Sequence, residues 1–290
     1  MSTLESLLRR HGLWANRGLG QHFLRDEFVL QDIARSINPG PDSDVVEIGS
    51  GPANLTMMLA LSGARVTGIE MDRRFVALHN EILATNPDFQ QRLQFHYGDA
   101  LDFDYQAAAD QAHAAGRRFL IAGNIPYQIT SPLIMLLLER EIPFEAMALM
   151  MQREVARRLQ AGPGTKLNGS ITLKVQFYAD VEHVADVPAR SFVPPPKVES
   201  EVVMFRRKPM PENLDRDKNG RPAFFRLVDA AFMHRRKTLP NSLVAAGYGL
   251  TREQAEAALA KVNLPPTTRA EQLGLQHYQN LHQAITASSS

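Results

Sequence analysis

The chain has 290 residues, 44% of them hydrophobic and 22% charged, and carries a net charge of +1. That balance describes a globular protein with a sizeable core, enough for one large domain and a small one, and global charge announces no nucleic-acid partner. The absence of cysteine excludes disulfides, thiolate catalysis and cysteine-ligated zinc, and with neither a signal-like apolar run nor a membrane-length one the expectation is a cytoplasmic protein.

In chain order, the first twenty residues carry Arg9, Arg10, His11 and Arg17 against Glu5 alone. They read either as a solvated, flexible arm or as a phosphate-contacting segment that orders on binding. A loop with Gly18 and Gly20 precedes a helical pattern of Phe28, Leu30, Ile33, Ala34 and Ile37, which Asn38-Pro39 ends. Residues 44–56, DVVEIGSGPANLT, read as strand, glycine turn at Gly49 and Gly51, and helix start. Glycines at a first strand-to-helix turn let the backbone approach a nucleotide-like ligand, although Ala53 and the compressed spacing fit a pyrophosphate poorly. The next strand ends in Glu70, 21 residues after Gly49, where a carboxylate can accept hydrogen bonds from ribose hydroxyls. A helix over 73–83 leads to a strand over 93–97 and then Asp99, placed to accept from an adenine amine.

The fourth strand is Phe119-Leu120-Ile121-Ala122, breaking into Gly123-Asn124-Ile125-Pro126-Tyr127. The Asn124 carbonyl can accept from an exocyclic amine, Pro126 removes a donor and stiffens the loop, and Tyr127 offers a stacking ring. This is similar to the Asn/Asp-Pro-Pro-Tyr motif of methyltransferases that modify nucleobase amines; an ordinary strand-to-helix turn is the other reading. The alternation of strands and helices over 44–152 predicts a doubly wound parallel sheet, with Gly49, Glu70, Asp99 and Asn124 on one edge. A fifth strand is expected over 146–152, then an amphipathic helix over 171–178 after a flexible glycine loop, and a closing antiparallel pair over 181–187 and 202–206. Between that pair, Pro194-Pro195-Pro196 either holds Phe192 out as a second stacking ring or leaves it tucked into the core. Beyond Lys208-Pro209-Met210-Pro211 the pattern turns to short helices, including a Thr251-to-Gln254 capping box, and marks a domain boundary. Across 190–237, twelve Lys/Arg stand against six Asp/Glu, with the run His234-Arg235-Arg236-Lys237 a phosphate track or a solvated face.

Together GQHFLRD from Gly20, VVEIGSGPANLT, IEMD, GDA, GNIPYQITSPL, SFVPPPKVES and HRRKTLPNSL resemble the KsgA (RsmA) family over about Gly20 to Asn280. Those are small-subunit ribosomal RNA adenine N6,N6-dimethyltransferases. The resemblance implies an α/β fold with a class I (Rossmann-like) S-adenosylmethionine-dependent methyltransferase sheet; with the boundary read above, that catalytic domain spans residues 1–208, its basic residues 1–20 read as a flexible arm. A small all-α RNA-binding domain over 209–290 follows. It implies S-adenosylmethionine and no metal, with His22, Leu24, Gly49, Gly51, Glu70, Asp99 and Asn124 toward the cofactor. Asn124, Pro126, Tyr127 and Phe192 would hold the base. Many members have Asn where this chain has His22. The implied substrate is a pair of adjacent adenosines in the 3′-terminal hairpin loop of small-subunit rRNA, reached by a monomer within a pre-ribosomal 30S particle. The rival readings are a large-subunit rRNA dimethyltransferase of the antibiotic-resistance type, a non-catalytic ribosome-assembly factor, and a nicotinamide oxidoreductase, which accounts for neither NIPY nor the basic tail.

Overall fold

Strand propensity and burial concentrate in nine segments of the computed structural model, which describes residues 4–209 and 220–287. They are β1 (Phe23–Leu24), β2 (Ser43–Ile48), β3 (Arg65–Glu70), β4 (Leu93–Tyr97), β5 (Arg118–Asn124), β6 (Ala146–Gln152), β7 (Ala179–Val187), β8 (Phe192–Val193) and β9 (Ser200–Arg207). Seven form one sheet in the order β4-β3-β2-β5-β6-β9-β7, while β1 and β8 form a separate two-stranded ribbon. Neighbours from β4 to β6 run parallel, and β9 returns antiparallel to β6. The strand order therefore reverses between β2 and β5, the place where an open α/β sheet leaves a crevice outside its carboxyl ends.

The central strands are apolar because helices cover them. Val45, Val66, Leu93, Leu120 and Ala148 share a cluster with Leu30, Ile33 and Ile37 of the helix Glu27–Ile37 and with Leu55 and Leu59 of Asn54–Leu61. Asp26 caps the first of these helices, its side chain accepting from the Phe28 N–H, and Asn38 closes it in the left-handed region.

Residues 157–179 depart from the expected division at 208/209. The described residues to Ala156 form one compact unit with Asp180–Arg207, and Arg157–Ala179 cluster with the chain from Lys208 onward. The cause is apolar: on the helix Ser170–Tyr178, Phe177 lies 5.5 Å from Phe224 and 5.1 Å from Phe225, and Lys174 pairs with Asp229 at 2.8 Å. The glycine loop before that helix is also anchored. Asn168 Nδ2 donates to the Glu271 and Leu273 carbonyls, and the Arg235 guanidinium donates to the Lys166 and Asn168 carbonyls. The expected Thr251–Gln254 capping box is present at the start of Arg252–Lys261. Met210 and Pro211 of the expected boundary lie outside the described residues.

From residue 4 onward, the flexible-arm expectation is also corrected. Leu4–Arg10 is a helix, Leu8 and Leu13 join the core cluster, and Arg10 and His11 pair with Glu81 at 3.4 and 3.0 Å. Arg9 and Arg10, two of the basic residues that suggested a solvated arm, share a helix with Leu4, Leu7 and Leu8, whose apolar packing outweighs the charge. Met1 to Thr3 lie outside the described residues.

Candidate functional site

Each parallel strand delivers its last residues to one edge, so four loops converge there by topology alone. One cleft is lined by residues 18–24, 47–52, 69–71, 98–100 and 124–129, with Leu30, Asn54 and Leu55. It contains His22, Leu24, Gly49, Gly51, Glu70, Asp99, Asn124, Pro126 and Tyr127, so nine of the ten expected residues meet in it.

Gly49 and Gly51 have φ of 77° and 47°, which favours glycine, and a Cβ on Gly49 would stand 3.2 Å from the Asn124 carbonyl. Glu70 is 6% exposed, and its two oxygens accept the Gly51 N–H at 2.7 Å and the Asp72 N–H at 2.8 Å. Burial raises its pKa above the usual carboxylate range, against the lowering effect of those N–H groups. Each oxygen keeps a further lone pair for an incoming donor. Asp99 Oδ1 accepts from the Leu101 N–H at 2.9 Å, which sets its carboxylate at the mouth of β4. Beside Glu70, Met71 is 55% exposed and adds an apolar flank that sequence reasoning had passed over.

The segment His22-Phe23-Leu24 is held by two amides. Asn54 Nδ2 donates to the Leu24 carbonyl at 3.0 Å, and Asn124 Nδ2 donates to the His22 carbonyl at 2.9 Å. With Nδ2 committed, Asn124 presents Oδ1 as its acceptor. The Pro126 carbonyl is already taken by the Ile129 N–H and the Thr130 hydroxyl. Tyr127 is half-buried, its hydroxyl 3.1 Å from Ser200 Oγ, and burial raises its pKa.

Phe192 is the exception. It is 1% exposed, paired in register with Leu24 and part of the core cluster, so it is not the held-out ring. Its apolar ring packs better behind the β1–β8 ribbon than in water. The ring beside Tyr127 is His22, 6.1 Å between centroids at 25°.

Glu47 also lines the cleft, 2% exposed, and its Oε2 has no hydrogen-bond partner among the described residues. Its carboxyl is pushed up to about 8, by burial first and also by the Glu70 charge, outweighing relief from Thr56. A raised folded pKa means stability present below pH 4.5 and lost as pH rises through about 8. Glu47→Gln should therefore raise Tm, by an increment that is small at pH 4.5 and grows toward pH 8. Thermal melts across that range check it, and a pH-independent increment removes Glu47 as the titrating group.

The two carboxylates and the glycine turn suit a nucleoside, with acceptors for ribose and amine and a turn that admits close approach. The sheet order and this edge give an open α/β fold with a nucleotide cleft, and the family model and relatives that follow make it an S-adenosylmethionine-dependent methyltransferase. The family model of ribosomal RNA adenine dimethylase matches residues 12–285, and the chain belongs to that family. It is 38% identical over 281 residues to ribosomal RNA small subunit methyltransferase A of Geobacter metallireducens, covering 97% of this chain and 98% of the relative. The protein of the same name from Alkaliphilus metalliredigens is 34% identical over 288 residues, covering 99% and 97%. Among solved structures, a dimethyladenosine transferase from Plasmodium falciparum shares the fold at TM-score 0.76 and 22% identity, covering 92% of this chain and 98% of that one. The 23S rRNA methyltransferase ErmE gives TM-score 0.68 at 25% identity, covering 91% and 99%.

Proposed function

We propose that this chain dimethylates N6 of two adjacent adenosines in the 3′-terminal hairpin loop of small-subunit rRNA, using S-adenosylmethionine. The observation that carries the reading is the Asn124 amide, anchored through Nδ2 to the His22 carbonyl so that Oδ1 is its acceptor in the cleft Tyr127 also lines. An adenine amine is a poor nucleophile because its lone pair is delocalised into the ring. Hydrogen bonds from its N–H groups to Asn124 Oδ1 and a backbone carbonyl of the same loop localise that pair on nitrogen and aim it in line. The Tyr127 ring stacks the base and favours positive charge developing on it. S-adenosylmethionine would supply an electrophilic methyl whose sulfur departs as a neutral thioether, and the methylated nitrogen, then strongly acidic, would give its proton to water, so the protein needs no strong base. Asn124 is neutral and one good acceptor suffices for an amine with one remaining hydrogen, so a monomethylated amine can bind again.

Gly49 and Gly51 would admit the cofactor, Glu70 would take its ribose diol and Asp99 its adenine amine, and Leu24 would give it an apolar contact. His22 Nδ1 donates to the Pro194 carbonyl at 2.8 Å, so its Nε2 can donate to the cofactor carboxylate only as an imidazolium. The target base must leave any stack, which makes a loop adenosine cheaper to present than a paired one. The monomer acts on a pre-ribosomal 30S particle in the cytoplasm; among the described residues no helix is long and apolar enough to cross a membrane.

Mass spectrometry of nuclease-digested rRNA from cells with and without this chain tests the reading. Dimethyladenosine lost from the small-subunit 3′ hairpin is the expected result; loss from large-subunit RNA, or none, overturns it.

The helical unit is read as the RNA-binding part. Arg236→Ala with Lys237→Ala should lower the log–log salt slope of RNA binding by about 0.7–0.9 for each lost phosphate contact. Cofactor affinity should stay unchanged. Arg235 is left out because it clamps Lys166 and Asn168. An unchanged slope would make the run a solvated face.

A further inference from the structure

The buried imidazole of His79 takes no part in the chemistry above. It sits on the helix Val76–Thr85 among Phe75, Leu78 and Ile82, all core residues, and is 0% exposed. Phe95 lies flat against it at 3.7 Å and 10°, and Phe75 is stacked at 5.9 Å. Its Nε2 is 2.8 Å from the Gly51 carbonyl, and its Nδ1 is 2.9 Å from the Tyr97 hydroxyl. A carbonyl only accepts, so Nε2 carries the hydrogen. Burial holds the ring down to about 4 and keeps it neutral, so Nδ1 is bare and accepts from Tyr97. One tautomer satisfies both bonds.

The bonds lead to the glycine turn. Gly51 N–H donates to Glu70 Oε2, and the Gly51 carbonyl accepts from His79. The peptide after Gly51 leads into Pro52, which has no N–H, so that carbonyl is the plane's only polar handle. Gly51 at φ 47° is the residue most free to pivot there. An apolar side chain at 79 would fill the same space and leave the turn unheld.

We propose that His79 and Tyr97 are positioning residues for the cofactor. Their relay fixes the Gly51–Pro52 peptide and so limits rotation at Gly51, whose N–H, in the preceding peptide, holds Glu70 toward the ribose. The inference rests on the reading of the cleft as the S-adenosylmethionine site.

The test is calorimetric titration of S-adenosylmethionine and S-adenosylhomocysteine into the parent, His79→Leu, His79→Gln, His79→Asn, Tyr97→Phe and Glu70→Ala, with steady-state kinetics. His79→Leu should weaken both ligands about tenfold. Its KM for the cofactor should rise while kcat and the RNA KM hold within about twofold, the mark of lost uniform binding. Glutamine, whose amide nitrogen reaches where Nε2 lies, should restore most of the affinity, and asparagine should not. Tyr97→Phe should weaken binding about threefold and shift the His79 Nδ1 nitrogen resonance while Nε2 stays protonated. Parent affinity in folded His79→Leu and Tyr97→Phe, with Glu70→Ala impaired, overturns the relay alone. If the leucine variant does not fold, equal affinities for the glutamine and asparagine variants overturn it. A parent that binds neither ligand overturns the cofactor reading and the relay with it.

Discussion

Alanine at position 124 should reduce methyl transfer by about 10²–10³-fold, the usual cost of losing one preorganised polar group at the reacting centre. RNA binding should survive, because affinity comes mainly from phosphate contacts spread over a basic surface, whereas the amide touches one amino group. Single-turnover rates at saturating RNA and cofactor make the comparison. Alanine also leaves the His22 carbonyl without its donor, so a thermal melt should accompany the assay. Asn124→Asp separates the amide's two jobs. It keeps an acceptor but replaces Nδ2, 2.9 Å from the His22 carbonyl, with a second oxygen. Two acceptors at that distance repel, so the aspartate should also be impaired even though it can still bond an amine. A rate for folded Asn124→Ala within a few-fold of the parent would remove this mechanism.

Alanine at position 70 should produce the largest loss of cofactor affinity. A charge-assisted bond to a ribose hydroxyl is worth roughly 1.5–3 kcal/mol. The structure adds to that figure, because Glu70 also accepts the N–H groups of Gly51 and Asp72. Leaving buried donors unpaired costs about 1–3 kcal/mol each, so Tm should fall as well. Glu70→Gln should not rescue the site, since its NH2 must face one of those two donors. Calorimetry reads the affinity, with NAD as the control ligand that should not bind. Unchanged S-adenosylmethionine affinity would take Glu70 out of the site, and tight NAD binding would revive an oxidoreductase.

The sheet was legible because its strands are short, apolar and punctuated. The expected strands over 93–97 and 146–152 match β4 and β6 to the residue, and the four edge positions follow from parallel topology once the strands are placed. Three features escaped because they depend on partners distant in sequence. Phe192 follows a turn and precedes three prolines, which fits exposure as well as burial; its pairing with Leu24 decides. The helix Leu4–Arg10 has Leu4, Leu7 and Leu8 at helical spacing, but two arginines made it look solvated. His79 left a fainter signal, a polar residue beside Leu78 and three before Ile82 on a buried helix face. Only the fold shows that Gly51 lies on the other side of it.

The discontinuity of the second unit bears on how the chain emerges during synthesis. Leu173, Val175 and Phe177 are 0–1% exposed in the finished protein, and Phe177 rests on Phe224 and Phe225. The helix that carries them leaves the ribosome before those partners exist. The chain to Ile285, which completes the described core of this unit, is roughly a hundred residues longer, or about 5–20 s at a translation speed of roughly 5–20 residues per second. For that interval the nascent protein carries a bare aromatic face, and a trigger-factor-like holdase or a slowed codon run acting between residues 178 and 285 should change the soluble yield more than one acting earlier.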